Sequence, residues 1–205
     1  MSGSFFPHLS KSTQNMLRFI TFSSTVAALT RCLVTVAVAV SLLPAAAGAS
    51  VIFEFEGHTY RIVTDTADWE TANLQAAQMS LNGQAGYLVR IDSQRENTAL
   101  IEALAAHLSS EELEASVPDD GSGVPFVWLG GSDIAEEGAW TWSNNGDQFW
   151  EGDFNGMPQN GLYSNWGVQP DSASGAEDGA AMGLSDWPEP FHDLGAMGEW
   201  NDLDI

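Results

Sequence analysis

The chain has almost no cysteine, few basic residues and no internal repeat. Cys32 is the single cysteine among 205 residues, which excludes a disulfide scaffold and every multi-cysteine zinc site. Six Lys and Arg stand against 28 Asp and Glu, for a formal net charge of −22. A chain so short of cations lacks the basic face that neutralises phosphates, so nucleic acid is excluded as a partner. Docking on anionic lipid is excluded on the same ground. No Gly-rich phosphate loop is present. The histidines His58, His107 and His192 lie far apart and suggest no Ser/His/Asp or Cys/His set, so the expectation is a protein that is not an enzyme. Apolar residues make up 44%, with 8 Trp and 10 Phe. That is enough to build a core despite the charge.

Charge is unevenly spread. Residues 1–49 hold Lys11, Arg18 and Arg31 but no acid; all the acids lie beyond, against Arg61, Arg90 and Arg95. Residues 33–43 read LVTVAVAVSLL, followed by Pro44 and AAAGAS. A basic stretch, a short apolar run and Ala47-Gly48-Ala49 as an A-x-A pattern predict an export signal over 1–49. The run is too short to span a membrane, which takes ~20 apolar residues. An uncleaved anchor is the alternative, and Met16 as a second start would give a signal of more ordinary length. The expected mature domain is 50–205, cysteine-free and secreted, periplasmic or at the cell surface, with no membrane contact of its own.

Within that domain, VIFEFEGHTYRIV (Val51 to Val63) alternates as a half-buried strand does. Trp69, Ala72, Ala76, Ala77 and Met79 recur at helical spacing within Thr66 to Asn82, and Gly83 and Gly86 follow. YLVRI reads as a short strand and Arg95 to Leu108 as a second helix. Residues 109–123 are acidic, end in PDDGSG and read as a solvated loop. From Phe126 onward Gly, Asn, Asp and Trp dominate; FVWLG and AWTWS are short strands joined by long irregular stretches.

Residues 163–205 are crowded with oxygen donors: Gln169, Asp171, Glu177, Asp178, Asp186, Glu189, Asp193, Glu199, Asn201, Asp202 and Asp204. Carboxylates without counter-charges repel one another. Hard oxygen donors, amide as well as acid, suit calcium with its 6–8 ligands. On composition alone a cation site and an acidic solvated surface are equally good readings.

The order of motifs separates them. Trp128-Leu129-Gly130-Gly131 precedes Glu137-Gly138-Ala139-Trp140-Thr141-Trp142; then come Tyr163-Ser164-Asn165-Trp166, Gln169-Pro170-Asp171, Glu177-Asp178 and Trp200-Asn201-Asp202. This order resembles the C-type lectin family over roughly Gly57 to Asp202. The resemblance implies an α+β fold, with two helices flanking short antiparallel sheets and a long calcium-binding loop region. It implies Ca²⁺ held by Gln169, Asp171, Glu177, Asn201 and Asp202, with a cis bond before Pro170. It implies a glycan partner that completes the metal's coordination, bound by Gln169, Asp171, Glu177 and Asn201. Trp128, Trp140, Trp142, Trp166 and Trp200 would be structural. The QPD tripeptide resembles galactose binders more than mannose binders.

Several departures from the family bear on these expectations. Ser172-Ala173-Ser174 follows QPD where galactose binders often carry an aromatic; Trp187 is the candidate substitute, and equally a packing residue. The family's disulfides are absent, as in bacterial members. Ser172 stands where some relatives place an acid of a second calcium site. Residues 149–161 look like an insertion, with Asp147, Glu151 and Asp153 as either a cation site or solvated acids. The family's closing strand after WND has no counterpart before Ile205, so Val51 to Tyr60 is expected to present a free edge. The competing functions are an adhesion or structural module that has lost sugar binding, and a glycoside-active enzyme using paired carboxylates.

Overall fold

The computed structural model describes residues 16–23, 51–119, 123–172, 176–190 and 192–205. The apolar run 33–43, Cys32, the Ala47–Ala49 cleavage pattern and Ala173–Ser174 lie outside the described residues. In chain order the elements are β1 Met16–Ser23, β2 Ile52–Phe55, β3 His58–Ala67, α1 Trp69–Gln78, β4 Ser80–Leu81, β5 Gln84–Leu88, α2 Gln94–His107 and α3 Ser110–Ala115. They continue with β6 Phe126–Ser132, β7 Ala139–Trp142, β8 Gln148–Glu151, β9 Met157–Pro158, β10 Gly179–Gly183 and β11 Trp200–Leu203. The class is α+β with a sheet-rich core, as expected. None of the described helices is long and apolar enough to cross a membrane.

Local chemistry sets the element boundaries, and several differ from the sequence expectation. The single strand expected over Val51 to Val63 is a hairpin, because Glu56 (φ 46°) and Gly57 (φ 90°) both take left-handed angles and close a two-residue turn. The helix expected from Thr66 starts later. Asp68 caps it by accepting the Thr71 N–H at 2.6 Å, and Thr66 and Ala67 finish β3. Ser93 caps α2 in the same way through Glu96 N. The expected loop at 109–123 contains α3, held by a capping box in which Ser109 and Glu112 satisfy each other's backbone N–H. The apparent insertion at 149–161 extends the sheet as β8 and β9.

The sheet runs β2-β3-β1-β6-β7-β8-β9, with β10 also paired to β6 and to β11, and β5 also paired to β1 and to β4. β6 is buried at all seven positions and divides two apolar clusters. Trp140, Trp142, Phe149 and Trp200 fill one face, with Trp142 stacked on Phe149 at 4.3 Å. Trp69, Trp128 and Phe126 fill the other. Buried indoles need acceptors: Trp69 donates to Leu129 O at 2.8 Å, Trp128 to Ala67 O at 2.9 Å and Trp200 to Asn97 Oδ1 at 2.9 Å. Trp128, Trp140, Trp142 and Trp200, expected to be structural, are buried at 0–1% exposure; Trp166 is half-buried, edge-on to Trp140 at 4.8 Å.

The free edge expected over Val51 to Tyr60 holds for β2 and not for β3. β3 is paired along its length by β1, a strand drawn from the region read as an export signal. β2 is the outer strand instead.

Candidate functional site

β11 carries two of the expected oxygen donors, Asn201 and Asp202. Ala180 pairs with Asp202 and Ala181 with Asn201 in the β10–β11 ladder, so small side chains on β10 leave room beside both polar ones. The loop that bears Gln169–Asp171 is laced to the same strand: Trp200 N donates to Asn165 O at 2.8 Å and Gly167 N to Trp200 O at 3.1 Å. The Gln169–Pro170 bond is cis. Beyond it the backbone N–H groups of Asp171 and Ser172 both donate to Asp202 Oδ2, at 3.0 and 2.8 Å.

These contacts gather the acids of the expected set. One carboxylate oxygen each from Asp171, Glu177 and Asp202 lies within 4.8 Å of the others. Gln169 and Asn201, their neighbours along the chain, are buried at 6% and 5% exposure. The oxygens Gln169 Oε1, Asn201 Oδ1 and Asp202 Oδ1 are buried with no hydrogen-bond partner among the described residues. A buried polar atom left unpaired costs ~1–3 kcal/mol, and Asp202 Oδ1, on the acid that converges with Asp171 and Glu177, calls for a ligand that accepts oxygen lone pairs. Burial pushes the Asp202 carboxyl up to about 7, and the negative charge of Asp171 adds to the rise. Burial and like charge both favour the protonated form of this acid. The cluster can hold a metal, and its all-oxygen donor set fits a hard one.

A further acid belongs to the same region and was missed in the sequence. The cleft over the cluster is lined by Asp133, Glu137 and Asp153 as well as by Pro170, Asp171, Ser172 and Asp202, with Trp140 at its floor. Its volume, ≈ 150 Å³, is below that of ordinary drug-sized pockets. Asp133 is 3% exposed; its Oδ2 accepts the Gly138 N–H at 2.8 Å while Oδ1 has no partner among the described residues. Burial pushes its carboxyl up to about 6 against that hydrogen bond, with Glu137 and Asp178 adding like charge. The acid-rich run GGSDIAEEG was the available signal. What marks Asp133 out is the turn that buries it, and acid content alone does not reveal that.

Other expected residues lie elsewhere. Trp187 meets Phe126 edge-on at 6.1 Å and packs against the second apolar cluster; it is not among the residues lining the cleft. Asp147 is held by Arg90 at 2.7 Å, which keeps its carboxyl below the usual range. Glu151 accepts from Gln148, and Asp153 alone of that trio reaches the cleft. No histidine lines the cleft: His192 pairs with Glu189 and Asp193 at the surface, and His58 packs beside Tyr60.

Comparison with known proteins gives distant likenesses. The chain is 32% identical over 123 residues to halomucin of Haloquadratum walsbyi, covering 58% of this chain and 1% of that protein. It is 32% identical over 92 residues to snaclec 5 of Echis pyramidum leakeyi and to snaclec 9 of Echis carinatus sochureki. Each of those alignments covers 45% of this chain and 51% of the snaclec. The chain therefore spans about half the length of the snaclecs and a small fraction of halomucin. No family model and no solved structure matches. The snaclecs are snake C-type lectin-like proteins, and the similarity indicates a distant lectin-like relationship.

Proposed function

We propose that the chain is an exported carbohydrate-binding module of C-type lectin-like fold that depends on calcium. The observation that carries this reading is the convergence of Asp171, Glu177 and Asp202, with Asp202 Oδ1 buried and without a partner among the described residues. In this reading all five side chains ligate Ca²⁺. Three carboxylates more than neutralise the ion, and five side chains leave coordination positions to be filled, since calcium takes 6–8 oxygens. Two adjacent sugar hydroxyls fill them. The amide groups of Gln169 and Asn201 then donate to the sugar oxygens while the carboxylates of Asp171 and Glu177 accept from the hydroxyl protons. The order of amide and acid around Pro170 favours galactose-like over mannose-like diols.

The test is retention of the full chain on immobilised galactose and mannose, in calcium and in chelator. Calcium-dependent retention on galactose is expected. Retention that ignores chelator, or that prefers mannose, overturns the corresponding part of the reading. One observation favours a second reading: Trp187 packs on Phe126, and among the described residues no exposed aromatic lines the cleft. A module that keeps the cation as a structural element and binds no sugar would still bind calcium calorimetrically and pass through both resins.

A further inference from the structure

β1 has the properties of a central strand. Met16, Leu17, Phe19 and Ile20 are 0% exposed and Phe22 is 2% exposed. Leu17 and Phe19 enter the cluster with Trp140 and Trp142, while Met16, Ile20 and Phe22 enter the one with Trp69 and Trp128. Both edges are occupied. One pairs antiparallel with β3 from Met16↔Ala67 to Ser23↔His58. The other is shared, by β5 at Ile20–Phe22 and by β6, in parallel, at Leu17 and Arg18.

The seat is cut to this segment. Arg18 is 3% exposed, yet its guanidinium donates to Asp65 O at 2.6 Å and to the Gln75 side chain. A slip of one residue would move that cation into the opposite apolar cluster and put Phe19 among its polar partners. On β5, a Cβ at Gly86 would come within 2.6 Å of Ile20 Cγ2 and 2.9 Å of Phe22 Cε1. Arg61 lies over the Phe22 ring at 5.6 Å. A generic apolar filler needs neither the buried cation nor the glycine.

We propose that the gap between β3 and the β5–β6 edge is a strand-acceptor site whose ligand is the chain's own Met16–Ser23, and that this strand stays seated when the chain is cut between residues 23 and 51. Cleavage after Ala49 would then yield a two-chain protein, with the leader's strand retained as a structural subunit. An extended peptide with apolar side chains on both faces and a basic third residue is the ligand class. The proposal is independent of the calcium reading.

The test uses the full chain with a site-specific protease sequence inserted between residues 30 and 46. After cutting in native buffer, both pieces should co-elute one-to-one and appear as one complex by native mass spectrometry. A labelled synthetic peptide of residues 14–25 should replace the bound piece after a denaturant pulse. The same peptide with Phe19→Asp should compete on the order of a hundredfold less well, as expected for loss of a buried aromatic. Release of the N-terminal piece on cutting overturns the proposal, whether the remainder stays folded or precipitates. Hydrogen exchange on the uncut, unaltered chain is the second measurement. Amides of Leu17–Phe22 should be as slow as those of Val127–Gly130, and unprotected rates would overturn the assignment.

Discussion

Three carboxylates are buried among the described residues, and two of them, Glu96 and Asp202, are satisfied differently. Glu96, near the start of α2, is 7% exposed and has both oxygens engaged: Oε1 accepts from the Tyr60 hydroxyl at 2.6 Å and Oε2 from Asp92 N at 2.7 Å. Burial raises its pKa, and those two hydrogen bonds oppose the rise. Asp202 is 1% exposed and has one oxygen doubly engaged and the other without a partner, close to Asp171 and Glu177. The protein itself completes the shell of the first acid. The second is held rigidly and left with coordinating capacity. Burial alone does not separate a structural acid from a ligand; the tally of lone pairs does.

The largest expected effect sharpens that contrast by substitution. Asp202→Asn keeps an oxygen for the Asp171 and Ser172 N–H groups but removes the charge, and calcium affinity should fall on the order of a hundredfold. Glu96→Gln should leave calorimetric calcium affinity unchanged while costing roughly 1–3 kcal/mol of stability, because an amide can no longer accept at both ends. Equal calcium loss in the two variants would erase the distinction.

Next in size is the metal's effect on stability. A ligand that binds only the folded state at a hundredfold excess over Kd adds about 2.7 kcal/mol, or about 5–10 °C in Tm for a domain of this size. Calorimetric melting in calcium and in chelator at matched ionic strength reads it directly. A Tm that ignores calcium would remove the metal from the account.

A smaller effect follows from titration. Folded Asp202 and Asp133 hold their protons up to about 7 and about 6, whereas an unfolded Asp releases its proton near ~3.9. Between those limits the folded state binds more protons, so in chelator stability should fall as pH rises from 5 to 8. Saturating calcium should abolish the fall, because the ion takes the proton's place. A chelator Tm that is flat or rising over that range contradicts the assignment of both acids.

The smallest effect concerns Trp187. Its contact with Phe126 predicts that Trp187→Ala lowers Tm by a few degrees, for an aromatic pair worth ~0.5–1.5 kcal/mol, with galactose retention unchanged. Loss of retention without loss of stability would move Trp187 from the apolar cluster to the sugar.

Much of the C-terminal half was legible because its motifs are short and contiguous. Trp200-Asn201-Asp202 and Gln169-Pro170-Asp171 each sit on one loop or strand, and the residues themselves name the chemistry. The helices α1 and α2 were readable from periodicity, with edges moved by the caps Asp68 and Ser93. The capping box that makes α3 was present as Ser109 and Glu112 but was outweighed by acidity. β1 was hidden for a different reason. MLRFITFS is apolar on both faces, as a buried central strand is, and it lies in an acid-free stretch beside a longer apolar run. Its partners Ile62, Leu88 and Val127 are far away in sequence, and local pattern carries no information about distant pairing.

The parallel pairing of β1 with β6 also sets the order of events in biosynthesis. Leu17 is made well before Val127, with which it pairs. At ~5–20 residues per second a nascent β1 waits for roughly 5–20 s before β6 exists. Helices α1 and α2 form from local contacts in microseconds once their sequences emerge. The sheet cannot close until its earliest strand meets one of its later ones. Joining β1 to β6 therefore takes a long loop closure between Leu17 and Val127, a distant contact of the kind that slows folding.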